Sequence, residues 1–210
     1  MVFPKDKNAF VIGIRDYSDA EQRYKYHSLT NPAQNAFQMT KFFKKHDYNV
    51  TSNIKDFNDV AQKRARALLS EDIMPMLDDF LEKAEAAKKA KRKAHFFIYY
   101  SGIVVQATDT EEFCGVDSNG DLIPLERYCE ALSMFKNVFT VCYIEGVFIK
   151  EPKRDSSEFV LKHSESLIMK LLPNPSFGTS TSTLKQSADK KKELGKHKKG
   201  MSILYMTLEY

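Results

Sequence analysis

The chain carries three cysteines, Cys114, Cys129 and Cys142, and five histidines, His27, His46, His95, His163 and His197. A thiol beside an imidazole is the smallest apparatus of nucleophilic catalysis. A free thiol with a pKa of about 8.5 is only slightly ionised at neutral pH. A neighbouring imidazole raises the thiolate fraction and later protonates the leaving amine. No Cys-x-x-Cys pair occurs and the cysteine count is odd, which argues against a disulfide framework and against a structural zinc site. The plain alternative makes Cys114 and Cys129 small, reduced core residues. Asp109, Glu111, Glu112, Asp117 and Asp121 bring carboxylates into one stretch. Asp117-Ser118-Asn119-Gly120 places its glycine too early for a calcium loop, and turn chemistry accounts for the segment. Neither a metal nor a cofactor is expected.

Groups that must meet need elements to hold them. Asn8 to Ile14 is a short apolar run that suggests a strand buried on both faces. Asp16 to His27 reads as a long loop. Asn31-Pro32 starts a helix, with Ala36, Met39 and Phe43 at helical spacing. His46-Asp47 ends it, and Tyr48 to Thr51 is a brief strand. Asp59 to Leu69 is helical. Ser70 then opens a second helix whose buried face carries Ile73, Leu77, Phe80, Leu81 and Ala84. Its lysine-alanine tail to Lys93 reads as an extension that leaves the body of the domain. His95 to Tyr100 is a strand that runs into a loop at Ser101. Phe113 to Ile123 is a hairpin, Leu125 to Ser133 a helix, and Asn137 to Tyr143 a strand. A charged linker spans 151–157. Glu158 to Leu161 reads as a strand, Ser182 to Leu194 as a helix, and Met201 to Tyr210 as a last strand. Strands alternate with helices, so the fold class is α/β, with a mainly parallel sheet and helices on both faces.

The 210 residues suffice for one large domain. No apolar run is long enough to cross a bilayer as a helix, so no membrane insertion is expected. The opening residues lack a secretory stretch, which predicts a cytoplasmic protein, with the Asn49-Val50-Thr51 sequon unused. The net charge is +4, but residues 82–94 carry +4 and residues 185–199 carry +5, leaving −5 on the rest. These two clusters are candidate surfaces for an acidic partner. The competing reading is a lysine-rich helix face in water. No aromatic interleaving accompanies the lysines, which argues against nucleic acid.

In such sheets function sits at the carboxyl ends of the strands. The segments "NAFVIGIRDYS", "LTNPAQNAFQMTKFFKKHDYNV", "HFFIYYSG", "FCGVDSNGDLIPL" and "VFTVCYIEG" occur in this order. Together they resemble successive blocks of the caspase-like cysteine peptidases, nearest to the metacaspases and related caspase-domain proteins. "EFVLKHSES" and "GTSTSTLKQSADKKKEL" are more weakly similar to the family's later strand and last helix. The resemblance implies one caspase-like domain over 1–210: a three-layer sandwich with a mainly parallel six-stranded sheet. It divides the chain into a large-subunit-like part (8–150), the linker, and a small-subunit-like part (158–210).

The resemblance also implies a histidine–cysteine dyad, with the histidine after Ser-Gly on the third strand and the cysteine ending the fourth. Cys142 stands at the nucleophile position. Ile103 stands in place of the histidine and Val104 in place of the glycine after it, whose backbone helps form the family's oxyanion hole. Asn35 replaces an aspartate, and Thr140 replaces the acidic residue two before the cysteine; in metacaspases these carboxylates help read a basic substrate residue. Their loss predicts a pocket without counter-charge. His95 lies roughly 26 Å from Ile103 along an extended strand. Only His27 and His163 are placed to approach Cys142. The expected function is therefore a catalytically inactive pseudoprotease, a protein-interaction or structural subunit of a larger assembly. Its expected partner surfaces are the two basic clusters and a vacated cleft lined by Ile103, Val104 and Cys142. The alternative is a cysteine endopeptidase that uses Cys142 with a displaced histidine base. An electrostatic binder of nucleic acid or acidic tails is a weaker third reading.

Overall fold

The computed structural model describes residues 6–54, 70–107, 112–149, 190–193 and 201–209. The element order is β1 (Asp6–Gly13), α1 (Ser18–Tyr24), α2 (Pro32–Lys45), β2 (Asn49–Ser52), α3 (Ser70–Lys89), β3 (Ala94–Gln106), β4 (Phe113–Val116), β5 (Leu122–Ile123), α4 (Leu125–Ser133), β6 (Val138–Ile149), β7 (Lys190–Glu193) and β8 (Met201–Glu209). The predicted helix over 59–69, the 151–157 linker and the strand over 158–161 lie outside the described residues, as do His163 and His197.

The α/β class holds, but the sheet is mixed rather than mainly parallel. Among the described residues it has eight strands, six of them in the order β2-β1-β3-β6-β8-β7. The first five of these run parallel to their neighbours, while β7 is antiparallel to β8. β4 and β5 form an antiparallel hairpin against the far half of β3. The helix predicted over 182–194 gives way to strand at Lys190–Glu193, where the backbone pairs with β8 from Ile203 to Met206. Lysine favours helix locally, but tertiary pairing overrides so small a propensity.

The sheet divides the interior into two cores. On one face α2 packs Ala33, Ala36, Phe37 and Phe43 against Ala9, Val11 and Tyr99. The other face carries α3, α4 and the larger core. There the Phe80 ring lies edge-on to both Phe10 and Phe96, with centroids 5.7 and 5.3 Å away, a favoured aromatic geometry. Ala84 and Ala87 are also buried, so α3 stays on the core through its last turns instead of leaving the domain as an extension. The small alanines sit on the core while Lys88 and Lys89 stand in water. α1 is a further departure from the predicted loop. Tyr17 and Ala20 are buried and Tyr24 half-buried, all against the larger core, at spacings of three and four residues that a helix places on one side.

Candidate functional site

The predicted histidine position lies inside a strand, not in a loop after one. β3 continues through Gln106 because it has partners on both sides: Val104 stands opposite Gly115 of β4 and Phe148 of β6. The Val104 backbone therefore lies within the sheet, flanked by a strand on each side, where the resemblance expects an amide exposed to a reacting oxyanion. Two buried tyrosines fix the chain here. The Ile103 N–H donates to the Tyr17 hydroxyl at 2.8 Å. The Tyr100 hydroxyl lies 2.8 Å from the carbonyls of both Ile103 and Val116, and accepts from the Val116 N–H at 2.9 Å. The two hydroxyls are 3.3 Å apart. Burial raises the pKa of both phenols, so they stay protonated. Gly102 makes room for this clamp, since a Cβ there would lie 2.5 Å from the Tyr17 hydroxyl oxygen. The Ile103 side chain, 1% exposed, belongs to the larger core.

Cys142 is likewise not at a strand end. It stands opposite Ile98 of β3 and Leu204 of β8, while the residue opposite Ile103 is Val147. Those positions are five residues apart, about 16 Å along a strand. β6 runs on to Ile149 because the extended β3 gives it a partner as far as Val105. The two positions that the dyad would bring together are thus separated along the strands. Cys142 is fully buried. A hydrogen bond with Cys129, then burial, then the charge of Glu126 push its thiol well above the ordinary range. Cys114 and Cys129 are also buried, and none of the three is in a disulfide. The expected cleft lined by Ile103, Val104 and Cys142 is not open at those residues, because all three are interior.

A polar cluster stands on the α2 face of β3 and β6. Asn35 of α2 donates from Nδ2 to Glu145 Oε1 at 2.9 Å, and the Tyr99 hydroxyl donates to Glu145 Oε2 at 2.5 Å. Tyr99 stacks on Tyr143, with centroids 5.8 Å apart and ring planes within 6°. Burial and then the Glu145 carboxylate raise the Tyr99 pKa. The expectation of a pocket stripped of negative charge therefore fails at Asn35, which faces a carboxylate from another element. The signal for Glu145 was an acid inside the apolar run Ile144-Glu145-Gly146-Val147. Thr140 is fully buried, and its Oγ1 has no hydrogen-bond partner among the described residues.

The described histidines stand elsewhere. His27 is exposed and pairs with Glu21 at 3.3 Å. His46 is exposed beside the Phe42 ring. His95 is the second residue of β3, eight residues before Ile103, and its Nδ1 lies 2.6 Å from the Tyr48 hydroxyl. Burial, then the charge of Lys7, lower its pKa. Asp117 uses its Oδ1 to accept the N–H groups of Asn119 and Asp121, as turn chemistry requires. Glu112 pairs with Arg127 at 2.8 Å. Asp109 and Glu111 lie outside the described residues. Among the described residues, no group of three or more His, Cys, Asp or Glu side chains is arranged to hold a metal ion.

A three-layer α/β sandwich with this order of blocks invites comparison with known proteins. The family model of the caspase domain matches residues 6–167, most of the chain. The chain belongs to the caspase family. Ile103, which the resemblance sets at the histidine position, is held in place by the Tyr17 and Tyr100 hydroxyls. Among solved structures, this caspase domain is similar to the crystal structure of protein GSU0716 from Geobacter sulfurreducens. The two are 14% identical over 96% of this chain and 72% of that one, with a TM-score of 0.46. That likeness is too distant to bear on function. No curated protein matches the chain. Among the described residues, no helix of this caspase-family chain is long and apolar enough to cross a membrane.

Proposed function

We propose that this chain is a catalytically inactive member of the caspase family that serves as a protein-interaction or structural subunit, working in the cytoplasm. One observation carries the reading: Ile103, at the position where the resemblance expects the family's proton acceptor, is a buried hydrocarbon. The surroundings support it. Cys142 lies in the interior with its pKa raised, and a thiol held protonated is a poor nucleophile. Loss of a general base alone costs a factor of about 10² to 10⁴, and more where paired groups act as a unit. What remains intact is the sheet and its two cores, which is what an interaction module needs.

The test is incubation of the purified chain with peptides bearing basic or acidic residues at the scissile bond, with and without calcium. The expected result is no cleavage above background. Cleavage that disappears in Cys142→Ala would overturn the reading and favour an endopeptidase with a displaced base. Such an enzyme would also alkylate rapidly at Cys142 at neutral pH.

A further inference from the structure

The edge of the sheet where the parallel strands begin is basic, and the two loops that form it are tied together. α3 ends in Lys88 and Lys89, and Lys91 has the left-handed φ of 53° that closes its last turn. The Lys91 N–H reaches the Lys88 carbonyl and the Arg92 N–H reaches the Ala87 carbonyl, which directs 91–93 across the edge. Asn137, at the entry to β6, donates to the Arg92 carbonyl and accepts from the Ala94 N–H at 3.1 Å. Lys88 Nζ lies 5.6 Å from the centre of the Phe135 ring. The two loops thus present Lys88, Lys91, Arg92, Lys93 and Lys136 on one edge, and Met134, two residues before Lys136, is a large apolar side chain left 40% exposed.

Basic residues in a last helical turn complement the helix dipole, and this accounts for Lys88 and Lys89. Lys89 also pairs with Glu85, and Arg92 with Asp6. Neither explanation reaches Lys91, Lys93 or Lys136. All three lie beyond the helix ends and are exposed, and none has an ion-pair partner among the described residues. Like charges gathered on one edge repel one another, which a partner carboxylate relieves. We propose that this edge docks an acidic segment of a partner protein, with carboxylates over Lys91, Lys93 and Lys136 and an apolar side chain on Met134. The proposal rests on the reading of the chain as an interaction subunit. Met134 favours a peptide over a nucleic acid, whose backbone offers nothing comparable to it.

The test is fluorescence anisotropy with a labelled glutamate-rich peptide that carries one central leucine. The wild-type chain should bind it, and added salt should weaken binding. Lys91→Glu/Lys93→Glu/Lys136→Glu should weaken it at least about tenfold. Met134→Ser, or a peptide with serine for leucine, should weaken it about threefold. Lys44→Glu/Lys45→Glu, a comparable charge change elsewhere, should leave it nearly unchanged. Thermal melts will establish that the variants fold. Equal loss from both charge variants would overturn the proposal in favour of net charge. So would oligothymidylate that binds as tightly and ignores Met134→Ser, or binding that the triple variant leaves intact. Peptide cleavage with this binding intact would instead sink the inactive reading and leave the docking edge standing.

Discussion

Single side chains decide what chemistry remains. Restoring the imaginary dyad partner by Ile103→His should not create a peptidase. The new imidazole would enter a buried spot at about 16 Å along the strands from the position opposite Cys142, and peptide cleavage should stay at background. It should also lower the melting temperature, because a polar ring replaces a core hydrocarbon. Thr140 gives a contrasting case. Its Oγ1 is buried without a partner among the described residues, so Thr140→Val should be neutral or stabilise by about 1 kcal/mol in urea melts. Thr140→Asp, which installs the acid that the resemblance expects, should destabilise by about 3 kcal/mol or more, since the new carboxylate would be buried unpaired. His95 sets a pH dependence. Its folded pKa is lowered from the ordinary 6.5 by burial and by Lys7. The unfolded chain therefore takes up the proton first as pH falls below about 6.5, and stability declines there. Above that range neither state is protonated and the effect vanishes. His95→Gln should flatten the melting temperature across this window, and an unchanged slope would remove His95 as its source.

At the scale of elements, the decisive pairing is β3 with β6. Gly102 faces Gly146 across that pair, and a Cβ on Gly146 would come within 2.0 Å of the Gly102 carbonyl oxygen. Gly146→Ala should therefore cost about 3 kcal/mol by forcing the strands apart. The hairpin β4–β5 depends on the same place. The Tyr100 hydroxyl serves the Ile103 carbonyl and both backbone groups of Val116. Tyr100→Phe should cost about 2 kcal/mol by leaving buried backbone groups unpaired. Hydrogen exchange should speed up at Val116 more than at β1. A loss spread evenly over the sheet would contradict this account of the clamp.

At the scale of the whole molecule, Cys114, Cys129 and Cys142 are all interior, so their reactivity should report global opening. Alkylation under native conditions should be far slower than that of a free cysteine and should rise with the unfolded fraction in denaturant; fast native labelling at Cys142 would show that the site is open. Much of this architecture was legible in the sequence. Asn31-Pro32 marked the start of α2, the turn Asp117 to Asp121 marked the hairpin, and the ordered blocks marked the family. The absence of an imidazole at position 103 was also fixed by residue identity alone, because no fold converts isoleucine into a proton acceptor. Long-range matters were not legible. The strand ends at Gln106 and Ile149 depend on what pairs beside them, so periodicity stopped β3 and β6 too early and put Cys142 at a tip. The Glu145 contact with Asn35 joins residues 110 apart in the chain. Local pattern reports which residues like helix, strand or turn. Only the tertiary structure chooses register, and register decides which side chains meet.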